Sequence, residues 1–104
     1  MAVTFTQDAR TLTARLSGEL DHHTARSVME QMEEHLGQGL PEMLVLDLSG
    51  LHFTDSSGIA VLLRSWKQMQ RLRGSMKVVH APEQAQKVFR AAGLQKMIPF
   101  EQET

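Results

Sequence analysis

The sequence predicts an α/β domain with one sheet and helices packed against it, and three observations carry that prediction. Two N-terminal runs alternate apolar and polar residues. Met43-Leu-Val-Leu-Asp-Leu48 is an almost unbroken apolar run. Three stretches with apolar residues at helical spacing fall between strand-like segments. Strand–helix–strand units imply parallel pairing through right-handed crossovers, which packs the helices onto the sheet.

In chain order, Val3 to Gln7 and Thr11 to Ser17 have the period of half-buried strands. Val3 and Phe5 oppose Thr4 and Thr6, and Leu12, Ala14 and Leu16 oppose Thr11, Thr13 and Arg15. Asp8 to Arg10 joins them as a hairpin. Gly18 to His23 reads as a polar break. Ala25, Val28, Met29, Met32 and Leu36 then predict an amphipathic helix, with Thr24 as N-cap, Gly37 and Gly39 as its stop and Pro41 beyond. Met43 to Leu48 predicts a strand covered on both faces. Ser49 to Asp55 reads as a loop. Ile59, Leu62, Leu63, Trp66 and Met69 mark a second helix that Gly74 ends, with Arg64, Lys67, Arg71 and Arg73 on its other, solvated face. Met76 to Val79 is a further strand. Pro82 opens a third helix with the stripe Ala85, Val88, Phe89 and Ala92 and a stop at Gly93. Lys96 to Phe100 reads as a last short strand, and Glu101 to Thr104 as a frayed end.

The composition narrows the function classes. At 104 residues, 41% hydrophobic and 22% charged, the chain suits one domain over 1–104 with a core of its own. Cysteine is absent, which excludes disulfides and thiolate metal sites and fits a reducing cytoplasm. A formal net charge of −1 offers no positive field for nucleic acid or anionic lipid. Met1 to Asp8 lacks the pattern of a signal peptide, and no apolar stretch approaches the roughly 20 residues of a membrane helix. Aromatic residues are scarce and tyrosine is absent, so stacking platforms for bases are not expected.

The chemistry concentrates in Asp47-Leu-Ser-Gly-Leu-His-Phe-Thr-Asp-Ser-Ser-Gly58, which joins a buried strand to an amphipathic helix. Sites in open α/β sheets gather beyond the C-terminal ends of strands. Asp55, Ser56 and Ser57 fall where the helix begins, and a helix start has unpaired N–H groups and a partial positive charge. A phosphate on a serine there is favoured, and it adds about −1.5 to −2 charges without unfolding anything. Gly58 has no side chain to crowd it. Asp-Ser-Ser-Gly is also what ordinary helix capping looks like, and one serine can serve both purposes.

Two blocks, Gly18-Glu-Leu-Asp-His-His-Thr-Ala25 and Phe53-Thr-Asp-Ser-Ser-Gly58 with the helix that follows, make the chain resemble the anti-sigma factor antagonists of the STAS domain family. Phe89 to Gly93 and Ile98-Pro-Phe-Glu-Gln102 add weaker support. The tetrapeptide alone is weakly specific; both blocks in register are strongly so, and the first leans toward the sporulation branch. The resemblance implies the STAS fold, a mixed four- to five-stranded sheet with three helices mainly on one side. It implies a non-enzymatic cytoplasmic phosphoprotein without cofactor or metal, and Ser56 as phosphoacceptor. The partner it implies is an anti-sigma factor that is itself an ATP-dependent serine kinase; a serine phosphatase reverses the modification. The unphosphorylated form, expected as a monomer when free, binds the anti-sigma factor and releases the sigma factor, and the phosphorylated form does not. The loop of Asp21 is implied beside the phosphorylation site, so Asp21, His22, Thr24, Asp55, Ser57 and Gly58 are the expected partner surface. Ala60 stands where the family often has glycine, and close relatives continue into a C-terminal helix beyond the position of Thr104.

Other readings compete. Ser57 is the second choice of acceptor, with helix-start hydrogen bonding as its plain role. Adjacent His22 and His23 do not converge on one ion in an extended chain, so exposed loop histidines are expected rather than a metal site. A Ser/His/Asp hydrolase lacks the Gly-x-Ser-x-Gly elbow. The main alternative is a phospho-aspartate receiver-like domain or small α/β enzyme using Asp47 at the end of the third strand. A receiver needs an acidic pair after its first strand to hold Mg²⁺, where only Asp8 stands.

Overall fold

The computed structural model describes residues 1–102. Its elements are β1 (Ala2–Asp8), β2 (Thr11–Leu20), α1 (Ala25–Gly39), β3 (Met43–Thr54), α2 (Ser57–Arg71), β4 (Ser75–Val79), α3 (Glu83–Ala91), a 3₁₀ turn over Leu94–Lys96 and β5 (Phe100–Glu101). They form one five-stranded sheet in the order β1-β2-β3-β4-β5. The β1–β2 pair is the antiparallel hairpin, and the other three pairings are parallel. Each parallel step moves one place in the same direction through one helix. Crossovers of one hand then put all three helices on the same face.

Burial along the strands agrees with that layering. Leu12, Ala14 and Leu16 of β2, Leu44, Leu46 and Leu48 of β3, and Met76 and Val78 of β4 are buried in one cluster. Val28, Met32 and Leu36 of α1, Val61, Leu62 and Met69 of α2, and Ala85 and Phe89 of α3 pack into the same cluster from the helix side. The alternate residues Met43, Val45 and Asp47 are only half-buried. The expectation of a β3 covered on both faces is therefore corrected: the apolar run keeps a two-residue alternation, with Met and Val on its open side. On α2 the fully buried stripe is Gly58, Val61, Leu62, Ser65 and Met69, while Ile59, Leu63 and Trp66 flank it. Buried Ser65 satisfies its hydroxyl by donating to Val61 O at 2.8 Å. The basic face of α2 is not wholly solvated, because Arg64 pairs with Glu33 of α1.

Several boundaries differ from the sequence reading. β2 runs on through Gly18 to Leu20, and β3 runs seven residues past Asp47 to Thr54, because the two continue to pair: Ser17 with Gly50, Gly18 with Leu51, Glu19 with Phe53 and Leu20 with Thr54. Two register shifts interrupt the ladder, and Gly18 (φ 101°) absorbs the backbone cost of one. Such bulges break the alternation by which a strand is read. α1 contains both Gly37 and Gly39, and Leu40 (φ 45°) takes its left-handed cap; at the end of α2, Arg73 (φ 59°) does so in place of Gly74. Gly93 (φ 77°) is the stop the sequence predicts after α3. Pro82 stands just before α3 as its N-cap. The last strand is Phe100–Glu101, since Leu94–Lys96 is a 3₁₀ turn. Glu101 is thus in the sheet, and Glu103 and Thr104 lie outside the described residues. No helix among the described residues is long and apolar enough to cross a membrane.

Candidate functional site

The parallel strands β2 and β3 end side by side at Leu20 and Thr54, and most of the residues singled out from the sequence collect there. The Leu20–Thr54 pairing, followed by Asp55 N–H donating to Leu20 O at 3.1 Å, sets Asp21 next to the Asp55–Gly58 turn. Asp55 shapes that turn: its Oδ1 accepts the Ser57 N–H at 2.7 Å, and its carbonyl oxygen accepts the Gly58 N–H at 3.1 Å. Ser56 is therefore the residue before the helix, exposed, with a side chain that makes no capping bond. The reading of Asp-Ser-Ser-Gly as a cap resolves in favour of Asp55, which leaves the Ser56 hydroxyl uncommitted. Ser57 is half-buried in the first turn. Gly58 is required by contact. A Cβ there would run into Thr54 Oγ1 and lie 3.3 Å from Leu20 Cδ2 and Phe89 Cε1. Its predicted role, leaving room for a modified serine, is replaced by one beneath the loop: it seats α2 against β2, β3 and α3.

The first block folds around Asp21. Its Oδ1 accepts the N–H groups of His23 at 2.9 Å and Thr24 at 3.1 Å, and its carbonyl oxygen accepts the Ala25 N–H at 2.8 Å. Asp21, not Thr24, thus caps α1. The Thr24 hydroxyl instead ties the loop to the strand, 3.1 Å from Glu19 O and 3.0 Å from the Asp21 N–H. His22 and His23 are exposed and lie ring against ring at 3.9 Å. Desolvation raises the Asp21 carboxyl, but the N–H groups of Thr24 and His23, the Thr24 hydroxyl and the charge of His23 outweigh it and hold the group below its ordinary value. A depressed carboxylate contributes stability above its unfolded pKa of about 3.9, and that contribution is lost as pH falls through the folded value. Below about pH 4, wild type is accordingly expected to lose more of its urea midpoint than Asp21→Asn, which keeps the Oδ1 acceptor without the charge. Parallel midpoint-versus-pH curves would show that the Asp21 charge has no such role.

Asp47 does not join this site. It sits within β3, opposite Arg15 and Val79, and its carboxylate accepts the Ser49 N–H at 2.9 Å. Asp8 is at the far end of the sheet, paired with Thr11, whose neighbour on β3 is Met43. The receiver-like alternative needs Asp47 at a strand's C-terminal end, and the extension of β3 to Thr54 takes it away from there.

Two features of the site were not legible in the sequence. Phe53 is 41% exposed three residues before Ser56. Gln84, in the first turn of α3, reaches the Thr54 backbone. Its Oε1 accepts the Thr54 N–H at 3.0 Å and its Nε2 donates to Thr54 O at 2.8 Å. Nothing in the periodicity of α3 signals that reach.

The pattern of the STAS domain matches residues 2–104. The chain belongs to the STAS domain family. It is 40% identical to the anti-sigma F factor antagonist of Paenibacillus polymyxa over 89 residues, which are 86% of this chain and 76% of that protein. It is 31% identical over 84 residues to the anti-sigma F factor antagonist of Lysinibacillus sphaericus, covering 81% and 72%. Among solved structures, this STAS domain superimposes on the anti-sigma factor antagonist SpoIIAA in its unphosphorylated form with a TM-score of 0.85 at 26% identity, over 99% of this chain and 89% of that one. The phosphorylated form of the Bacillus cell-fate determinant SpoIIAA matches with a TM-score of 0.77, also at 26% identity, over 99% and 92%. The mixed sheet with its helices on one side is the STAS fold that the two sequence blocks imply.

Proposed function

We propose that this chain is a cytoplasmic anti-sigma factor antagonist whose partner binding is switched off by phosphorylation of Ser56. Unphosphorylated, it binds an anti-sigma factor that is an ATP-dependent serine kinase, and the sigma factor is released. The kinase moves the γ-phosphoryl group of ATP to Ser56: a bond forms between Oγ and phosphorus, the bond to the ADP oxygen breaks, and the hydroxyl proton passes to a base. A serine phosphatase restores the hydroxyl with water. The single observation that carries the reading is that Ser56 is exposed at the start of α2 while Asp55 does the capping, so the hydroxyl is accessible and its modification leaves the fold's hydrogen bonds in place. The names of the two curated relatives and the two forms of SpoIIAA support the same reading.

On this reading Asp21, His22, Thr24, Asp55, Ser57 and Gly58 belong to or underlie the partner surface, and phosphate repels the partner there. The test is incubation with an anti-sigma F factor and ATP, followed by mapping of the phosphate. Wild type is expected to take up one phosphate at Ser56, and Ser56→Ala none while still binding. Phosphate on Ser57, or uptake by Ser56→Ala, would contradict it.

A further inference from the structure

β4 ends at Val79, so β3 outlasts its neighbour by several residues. The ladder between them stops at Asp47–Val79, while β3 runs on to Thr54. A strand end without a neighbour leaves its backbone N–H and C=O to water or to a side chain. At Thr54 a side chain takes the place of the missing strand. The Gln84 carboxamide presents its oxygen to the Thr54 N–H and its nitrogen to the Thr54 carbonyl, the donor–acceptor pair a neighbouring residue would offer.

The helix that carries Gln84 is itself anchored. Gln86 and Gln102 each donate to Ala81 O at 2.8 Å, and Ala85 and Phe89 are buried in the core. Thr54 is fully buried and its hydroxyl donates to Asp55 O at 3.0 Å; Asp55 N–H in turn donates to Leu20 O. The turn before Ser56 is thus held from the β2 side by Leu20 and from the α3 side by Gln84.

We infer that Gln84 is a positioning residue for phosphoryl transfer to Ser56, acting through its two-point hold on the Thr54 backbone. The inference rests on the reading of Ser56 as acceptor. In-line transfer depends on where the hydroxyl is held, and a turn released on one side samples poses the kinase cannot use. Gln84 is at the surface, so replacing it leaves the core intact.

Three proteins decide the matter: wild type, Gln84→Met and Gln84→Glu. In Gln84→Met, amide exchange at Thr54 is expected to rise at least tenfold. The kcat/KM for Ser56 phosphorylation by the anti-sigma F factor of Paenibacillus polymyxa is expected to fall about fivefold or more, with little change in thermal midpoint. Gln84→Glu separates positioning from simple support. At pH 7 its carboxylate offers no donor to Thr54 O. Near pH 3.5, below the ordinary Glu value of about 4.3, the neutral acid presents one donor and one acceptor like the amide it replaces. Thr54 protection in Gln84→Glu is therefore expected to return toward that of wild type at the same low pH. Equal Thr54 exchange in all three proteins, or an unchanged phosphorylation rate in Gln84→Met, would overturn the inference. Wild type that exchanges as expected but takes no phosphate would count against the Ser56 reading and leave the Gln84 hold standing.

Discussion

Phe89→Ala is expected to cost about 3–5 kcal/mol of folding stability, the range for removing a fully buried aromatic side chain. Phe89 has no exposed surface and packs where three elements meet. Its Cε1 is 3.3 Å from the position a Cβ would take on Gly58 of α2, and its ring lies 6.0 Å from that of Phe100 on β5. Leu94 and Ile98, both buried, belong to the same cluster. The loss has two parts, the transfer of the ring's area to water and the cavity left behind. A domain of this size has about 5–15 kcal/mol in total, so the variant should sit near its unfolding transition at moderate temperature. Chemical denaturation of both proteins measures this, with the midpoint falling and the slope unchanged. A loss under about 1 kcal/mol would mean the α3 corner collapses to fill the gap, and the rigid platform inferred for Gln84 would go with it.

The second large effect is on binding. Phosphorylation of Ser56 is expected to weaken the complex with the anti-sigma factor by on the order of 100-fold or more, since like or unpaired charge forced into an interface costs several kcal/mol and each 1.4 kcal/mol is tenfold. Ser56→Asp, with one charge and no phosphate oxygens, should weaken it in the same direction and by less. Stability should scarcely change. Ser56 is exposed and gives no side-chain bond to the helix, and an exposed substitution of this kind is usually within about 0.5 kcal/mol, about 2–4 °C in this size class. Unfolding of the Ser56→Asp variant would show that the site cannot accept charge.

Much of this was visible in the chain. The order of elements, the hairpin and the three helical stripes follow from apolar spacing, because core burial is what periodicity reports. The meeting of the Asp21 and Asp55 blocks was implied only by resemblance; the structure supplies its cause in the Leu20–Thr54 pairing. What was not visible has physical reasons. Bulges between Arg15 and Glu19 and along β3 destroy the alternation, so a twelve-residue strand reads as a six-residue strand with a loop. Thr24 has the residue type of an N-cap, yet Asp21 reaches the helix start first. Gly58 has the look of a residue that makes room for phosphate, and it makes room for Thr54, Leu20 and Phe89 instead. Gln84 lies thirty residues from the backbone it holds, and no local rule predicts such a pairing.

If Ser56 is the phosphoacceptor as proposed, the surface around it sets how the switch works. The Asp55 carboxylate accepts the Ser57 N–H, and the Asp21 carboxylate accepts the His23 N–H in the neighbouring loop, so both acidic side chains are engaged by backbone N–H groups next to the strand ends that precede Ser56. Adding further negative charge there changes the electrostatics of the surface far more than its shape. On the proposed reading the fold stays fixed and the signal is carried by charge.

The most direct measurement is the affinity of the anti-sigma factor for this protein with Ser56 free and with Ser56 phosphorylated, taken on samples whose folding is checked by thermal midpoint. A tight complex is expected for the free hydroxyl, with loss of roughly 100-fold or more on phosphorylation and superimposable melting curves. Equal affinities for the two forms, or a phosphorylated protein that has unfolded, would contradict a switch that works through surface charge.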